Sequence, residues 1–209
     1  MRSRWRACAG RFSPKARAGA LAVWLATLPA VCFAQTPSVA ADPTGAARYL
    51  QDLTLTDQTG RQVDLYRDLM AGHTVVLHSF FSHCGDSCPV VITTLQALGK
   101  RLGAARMDHE VRFLSLSVDP GRDDPQTLAD FAERIEAGPG WYFLTGSAAQ
   151  VNAALRRIGQ YTGDPASHMN LLIAGNPRTG LWKKIHGLAP LPEVVDLLLG
   201  VVDDPGVPR

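Results

Sequence analysis

Thr74-Val75-Val76-Leu77-His78-Ser79-Phe80-Phe81-Ser82-His83-Cys84-Gly85-Asp86-Ser87-Cys88-Pro89 is the stretch on which the fold turns. Its first eight residues are apolar enough to predict a strand buried on both faces. From Pro89 the period changes: Ile92, Leu95, Leu98 and Leu102 recur at helical spacing, which predicts a helix over 89–102. Proline is favoured at the first helical position, so Cys88 falls near the N-cap. Unpaired backbone N–H groups and the positive end of the helix dipole favour a thiolate there. Thiolates are soft metal ligands and redox nucleophiles. Two cysteines four residues apart on one strand-to-helix turn therefore point to copper chemistry or disulfide chemistry.

The rest of the chain alternates strands and helices around this stretch. Leu53-Thr54-Leu55 and Val63-Asp64-Leu65 flank the turn Asp57-Gln58-Thr59-Gly60, which predicts a hairpin. Val111 to Val118 reads as a second buried strand. Asp124-Pro125 supplies an N-cap and a first-turn proline for a helix whose apolar face is Leu128, Phe131 and Ile135. Trp141 to Leu144 is a short strand, and Ser147 caps a helix carrying Val151, Leu155 and Ile158. Asn170 to Ala174 and Leu181 to His186 read as two strands, and a last helix follows from Pro192. The order is hairpin, β, α, β, α, β, α, β, β, α. It implies an α/β domain with a mixed central sheet flanked by helices. A cysteine pair at the end of the first central strand, opening the first long helix, suggests a thioredoxin-like fold with an N-terminal β-hairpin.

The ends set the compartment. Arg2, Arg4, Arg6, Arg11, Lys15 and Arg17 precede an apolar run from Ala18 to Val31 and a small-residue site at Cys32-Phe33-Ala34. Residues 1–34 read as a secretory signal peptide, with an uncleaved anchor as the alternative. The run is shorter than the roughly 20 residues that comfortably span a bilayer. Residues 35–47, rich in Ala, Pro, Ser and Thr, read as a linker, and 48–209 as one domain. Export implies a periplasmic protein, or one anchored to the inner membrane through its N-terminal segment. Cleavage removes six basic residues and no acidic one. Lys+Arg falls from 21 to 15 against 19 Asp+Glu, so the net charge moves from +2 to −4. No basic run survives to suggest nucleic acid.

Of four cysteines, Cys8 and Cys32 leave with the signal. Cys84 and Cys88 remain, alone, in an oxidising compartment. A structural disulfide explains them poorly, because closing so short a loop removes little unfolded-chain entropy. Cu(I) prefers soft ligands and low coordination numbers, and an imidazole would extend the site to Cu(II). His168, in the loop Gly163-Asp164-Pro165-Ala166-Ser167-His168-Met169, is the best candidate for that imidazole. His73 and His78 read as satisfied structural histidines, His109 and His186 as solvated. His83 adjoins Cys84, where it could tune the thiol or hold copper transiently. Asp119 reads as turn chemistry and Arg122-Asp123-Asp124 as a solvated loop and helix cap.

Cys84-Gly85-Asp86-Ser87-Cys88-Pro89 resembles the CxxxCP motif of the Sco/SenC family of copper proteins. Ser117-Val118-Asp119-Pro120 with Arg122-Asp123 is similar to that family's SVDP-x-RD stretch, and Leu144-Thr145-Gly146-Ser147 to its LTGS turn. His168 sits where the family's distant copper-binding histidine is expected. The resemblance implies a thioredoxin-like fold with Cys84, Cys88 and His168 as copper ligands. It also implies a copper chaperone for the binuclear copper centre of cytochrome c oxidase, acting by metal delivery, by thiol reduction of the target, or both. The implied partners are the copper-accepting oxidase subunit and other copper chaperones or thiol reductants. Three positions depart from the family pattern: Gly85 replaces a frequent proline, and Ser167 and Met169 flank His168 where aspartate and serine are usual.

Two competing activities share such a scaffold. A thiol–disulfide oxidoreductase would use Cys84 and Cys88 as catalytic attacking and resolving thiols. Its commonest motif has two residues between the cysteines, and His168-Met169-Asn170 lacks the proline usual opposite that site. A peroxiredoxin would need threonine three residues before its cysteine, where Phe81 and Gly85 stand.

Overall fold

The computed structural model describes residues 45–84 and 88–206, with Cys88 described for its backbone alone. The signal segment 1–34, the linker as far as residue 44, and Gly85, Asp86 and Ser87 lie outside the described residues.

Seven strands form one mixed sheet. They are β1 (Thr54–Asp57), β2 (Gln62–Asp64), β3 (Thr74–Phe80), β4 (Val111–Ser117), β5 (Trp141–Thr145), β6 (Leu171–Asn176) and β7 (Leu181–His186), in the spatial order β2-β1-β5-β4-β3-β6-β7. The central β5, β4 and β3 run parallel, while β1 and β6 flank them antiparallel. Parallel neighbours need a crossover, and the chain supplies helices for it: α2 (Cys88–Leu102) between β3 and β4, and α3 (Pro125–Arg134) between β4 and β5. The remaining helices are α1 (Gly45–Leu50), α4 (Ala148–Ile158) and α5 (Leu191–Val202). This is the expected thioredoxin-like arrangement, N-terminal hairpin included.

All seven residues of β3 are buried, as a strand covered on both faces must be. Alternate side chains feed two cores. Val76 and Phe80 join Phe113, Phe131, Phe143 and Leu198 under α2, α3 and α5. Val75 and Leu77 join Leu114, Leu116, Val151 and Leu155 under α4. Gly175 of β6 pairs with Trp182 of β7, and a Cβ there would fall 2.1 Å from the indole, so only glycine fits under that ring.

The structure differs from the sequence reading at two local points. Helix α1 begins at Gly45, inside the stretch read as linker, and seats Ala47 and Leu50 against the domain. The second hairpin strand stops at Asp64, because its carboxylate accepts the Arg67 N–H and starts a π-helical turn over Leu65–Met70.

Candidate metal centre

β3 delivers the chain to the carboxyl end of the sheet and a tight turn follows. The Cys84 N–H donates to the Phe81 carbonyl at 3.1 Å, closing the turn Phe81–Cys84. Cys84 carries a free thiol, half-buried at one end of a cleft of about 330 Å³. Pro89, Thr93 and Gln96 of α2 and Phe131 and Arg134 of α3 line the rest of it. The Arg134 guanidinium lies over the Phe131 ring, 5.0 Å from its centre. Cys88 is the first residue of α2 and Pro89 the second, one position from the expected cap. Cys88 thus stands at the N-terminus of α2, the helix end that favours thiolate.

His168 arrives through topology. Because β6 runs antiparallel to β3, with Leu77 opposite Ile173, the segment entering β6 lies where β3 ends. A short 3-10 turn, Pro165–Ser167, capped by the Asp164 carboxylate on the Ala166 N–H, sets His168 at its end. The imidazole meets the Phe81 ring edge to face, centres 5.3 Å apart. Its Nδ1 lies 3.1 Å from the Pro165 carbonyl, which can only accept. Nδ1 therefore bears the proton and Nε2 carries the ring's lone pair. Partial burial lowers the pKa of His168, partly offset by that carbonyl. Neutral imidazole with one nitrogen anchored to a carbonyl is the form that binds metals. His168 thus touches the residue three before Cys84. Among the described residues no three His, Cys, Asp or Glu side chains form a complete metal cluster. The Cys88 side chain is not among them.

Asp123 was read as part of a solvated loop, and the structure corrects this. Its side chain is completely buried beneath the cysteine turn, where it accepts from the Ser82 hydroxyl (2.5 Å), the Ser82 N–H (3.3 Å) and the Ser117 hydroxyl (2.6 Å). Its neighbour Asp124 is the exposed cap of α3, as expected. In sequence the two aspartates look alike; the only cue was the SVDP-x-RD stretch that ends on Asp123. Asp119 proves to be turn chemistry, its carbonyl accepting from the N–H groups of Arg122 and Asp123. His83 is exposed, with Nδ1 2.8 Å from the Ser82 hydroxyl oxygen. His109 and His186 are exposed, and His78 is buried and hydrogen-bonded, as their sequence contexts predicted. A larger cavity of about 570 Å³ opens on the opposite face of the sheet. Leu77, Ile173 and Trp182 line it, and among the described residues no cysteine or histidine does.

Comparison with known proteins places this geometry in a family. The SCO1/SenC family model matches residues 41–168, a stretch that contains both cysteines and ends on His168. A mitochondrial SCO2 homologue of Danio rerio is 34% identical over 113 residues, covering 54% of this chain and 39% of that protein. The SenC protein of Rhodobacter capsulatus is 33% identical over 119 residues, covering 54% of this chain and 51% of that protein. The chain thus spans about half or less of the curated relatives it matches. Yeast Sco1, solved with copper bound, superposes with a TM-score of 0.61 at 22% identity, over 75% of this chain and 92% of that one. BsSco, described as a Sco-family cytochrome c oxidase assembly protein with a disulfide switch, superposes at 0.58 with 26% identity, over 71% and 90%. With more than half of its residues matched by the family model, and the same fold beneath them, the chain belongs to the SCO1/SenC family.

Proposed function

We propose that this protein is an exported copper metallochaperone in which Cys84, Cys88 and His168 hold the metal. It delivers that copper to the binuclear copper site of a cytochrome c oxidase and reduces the cysteines there. The observation that carries the reading is His168. Its Nδ1 is tied to the Pro165 carbonyl, its pKa is lowered by burial, and its ring packs on Phe81 at the root of the cysteine turn. An imidazole so tethered beside a cysteine turn suits a metal better than simple thiol exchange. Two thiolates satisfy Cu(I), and the imidazole suits Cu(II), so the donor set can accept either state. The oxidase-assembly role stated for BsSco supports the same partner class.

Thiol chemistry belongs to the same site. Cys84 is a free thiol beside a cleft at a helix start. One thiolate attacks a disulfide of the target and displaces a target thiolate, which takes up a proton. The other cysteine then attacks the mixed disulfide. The target leaves as a dithiol able to accept copper, and Cys84–Cys88 leaves oxidised, two electrons having passed between them. An external thiol reductant restores the pair. The basic, apolar N-terminal segment supports action in the periplasm, free or held at the inner membrane. Among the described residues no helix is long and apolar enough to cross a membrane.

Copper titration of the reduced protein tests the ligand set, with Cu(I) followed by competition against a chromogenic chelator and Cu(II) by its thiolate charge-transfer band. One tight equivalent is expected. Cys84→Ser or Cys88→Ser abolishes it, and His168→Ala weakens Cu(II) more than Cu(I). Equal binding by wild type and both serine variants would refute the site.

A further inference from the structure

Among the described residues the buried carboxylate beneath the cysteine turn has no counter-ion. Arg122, next to it in sequence, lies instead 3.8 Å from Asp119. The described partners of the Asp123 side chain are Ser82 and Ser117, and all their contacts to it are hydrogen-bond donations. Ser117 Oγ accepts the Asp119 N–H at 3.0 Å, so its own proton goes to Asp123. Ser82 gives Asp123 both its N–H and its O–H, so its hydroxyl oxygen is left to accept from His83 Nδ1. Ser82 is the second residue of the turn that the Cys84 N–H closes. One side chain from the β4–α3 connection thus grips the backbone and side chain of the residue two before Cys84. A buried carboxylate without a cation is costly unless hydrogen bonds offset its desolvation. Here they tie the cysteine turn to the β4–α3 connection, a separate part of the chain.

We propose that Asp123 is the positioning residue of the cysteine turn: through Ser82 it fixes where the Cys84 sulfur sits, and its negative charge beneath the turn favours Cu(II) over Cu(I) at the site. The charge argument is one of sign. Two thiolates and a neutral imidazole carry one net negative charge around Cu(I) and none around Cu(II). A fixed anion nearby repels the first and tolerates the second. The copper part rests on the ligand reading above; the clamp itself does not.

The experiment uses Asp123→Asn and Ser82→Ala, each measured three ways against wild type. Thermal melting reports the fold. Alkylation of Cys84 by iodoacetamide in a Cys88→Ser background reports sulfur placement without copper. The ratio of Cu(II) to Cu(I) affinity and the energy of the thiolate band report the loaded site. In folded variants, alkylation of Cys84 should change by roughly fivefold, the kinetic equivalent of one lost hydrogen bond. The Cu(II) to Cu(I) ratio should fall in Asp123→Asn by more than in Ser82→Ala, which keeps the charge. If Asp123→Asn does not fold, Ser82→Ala still loses the hydroxyl half of the clamp and decides its role. Folded variants with lowered melting but unchanged alkylation and an unchanged band would reduce Asp123 to a structural residue and overturn the proposal. A wild type that binds no copper would remove the ligand reading and the charge bias with it, leaving alkylation to decide the clamp.

Discussion

A histidine at the centre of a fully buried strand must be neutral, and the neighbours of His78 show how it is kept so. The Ser79 carbonyl beside Nδ1 can only accept, so Nδ1 bears the proton. In the neutral ring Nε2 then accepts from the Ser115 hydroxyl at 2.6 Å, whose oxygen takes the Trp141 indole N–H at 2.8 Å. Burial, the largest cause, pushes the His78 pKa down to about 4, against 6.5 when exposed. The unfolded chain therefore binds a proton between these pH values and the folded one does not. The stability linked to His78 is complete above pH 6.5 and is lost as pH falls towards 4, by about 3 kcal/mol in all. Urea unfolding of the copper-free protein at pH 7 and pH 4.5 should show a steeper loss for wild type than for His78→Gln. Parallel losses would remove His78 as a source of acid lability. At this scale the sequence was readable where local context decides, as for His78 in its apolar run. Local context gives no sign that Asp123 turns inward, because that depends on hydroxyls such as that of Ser82, 41 residues away.

Helix starts were the most legible elements, because their chemistry is local. Ser147 accepts the Gln150 N–H, and the Gln150 side chain returns to the Ser147 N–H, a complete capping box at the head of α4. Gly159 closes the same helix in the left-handed conformation with φ 73°. Ser147→Ala should cost about 1 kcal/mol, and Ser147→Asp should recover most of it. Chemical denaturation midpoints decide this; an aspartate no better than alanine would show that the cap contributes little. The two unforeseen elements have non-local causes. Helix α1 is only six residues long and exists because Ala47 and Leu50 find the domain's surface, which no periodicity within 45–50 can announce. The π turn after β2 follows from one aspartate capturing one amide, which overrides the continuing β pattern.

On the scale of the molecule, pairing directions build the site. Parallel β3 and β4, joined through α2, put the cysteine turn at the carboxyl edge of the sheet, where open α/β sheets gather ligands. Antiparallel β6 carries a loop more than 80 residues distant back to that edge and sets His168 on Phe81. The order of elements could be read from hydrophobic period, and with it the fold class. The approach of His168 to Phe81 could not be read from spacing alone, since it depends on which strand lies beside β3 and in which direction. Resemblance to the Sco/SenC motifs supplies the expectation of a histidine near the cysteines; the structure shows His168 against Phe81, three residues before Cys84.

In the proposed site two sulfurs from one strand-to-helix turn and one imidazole from the loop before β6 hold one copper ion. X-ray absorption at the copper edge of the loaded protein tests it most directly. Two sulfur scatterers and one imidazole nitrogen per copper are expected, with the imidazole signature lost in His168→Ala and the sulfur signal retained. A copper shell of nitrogen and oxygen alone, or one unchanged by His168→Ala, would contradict it.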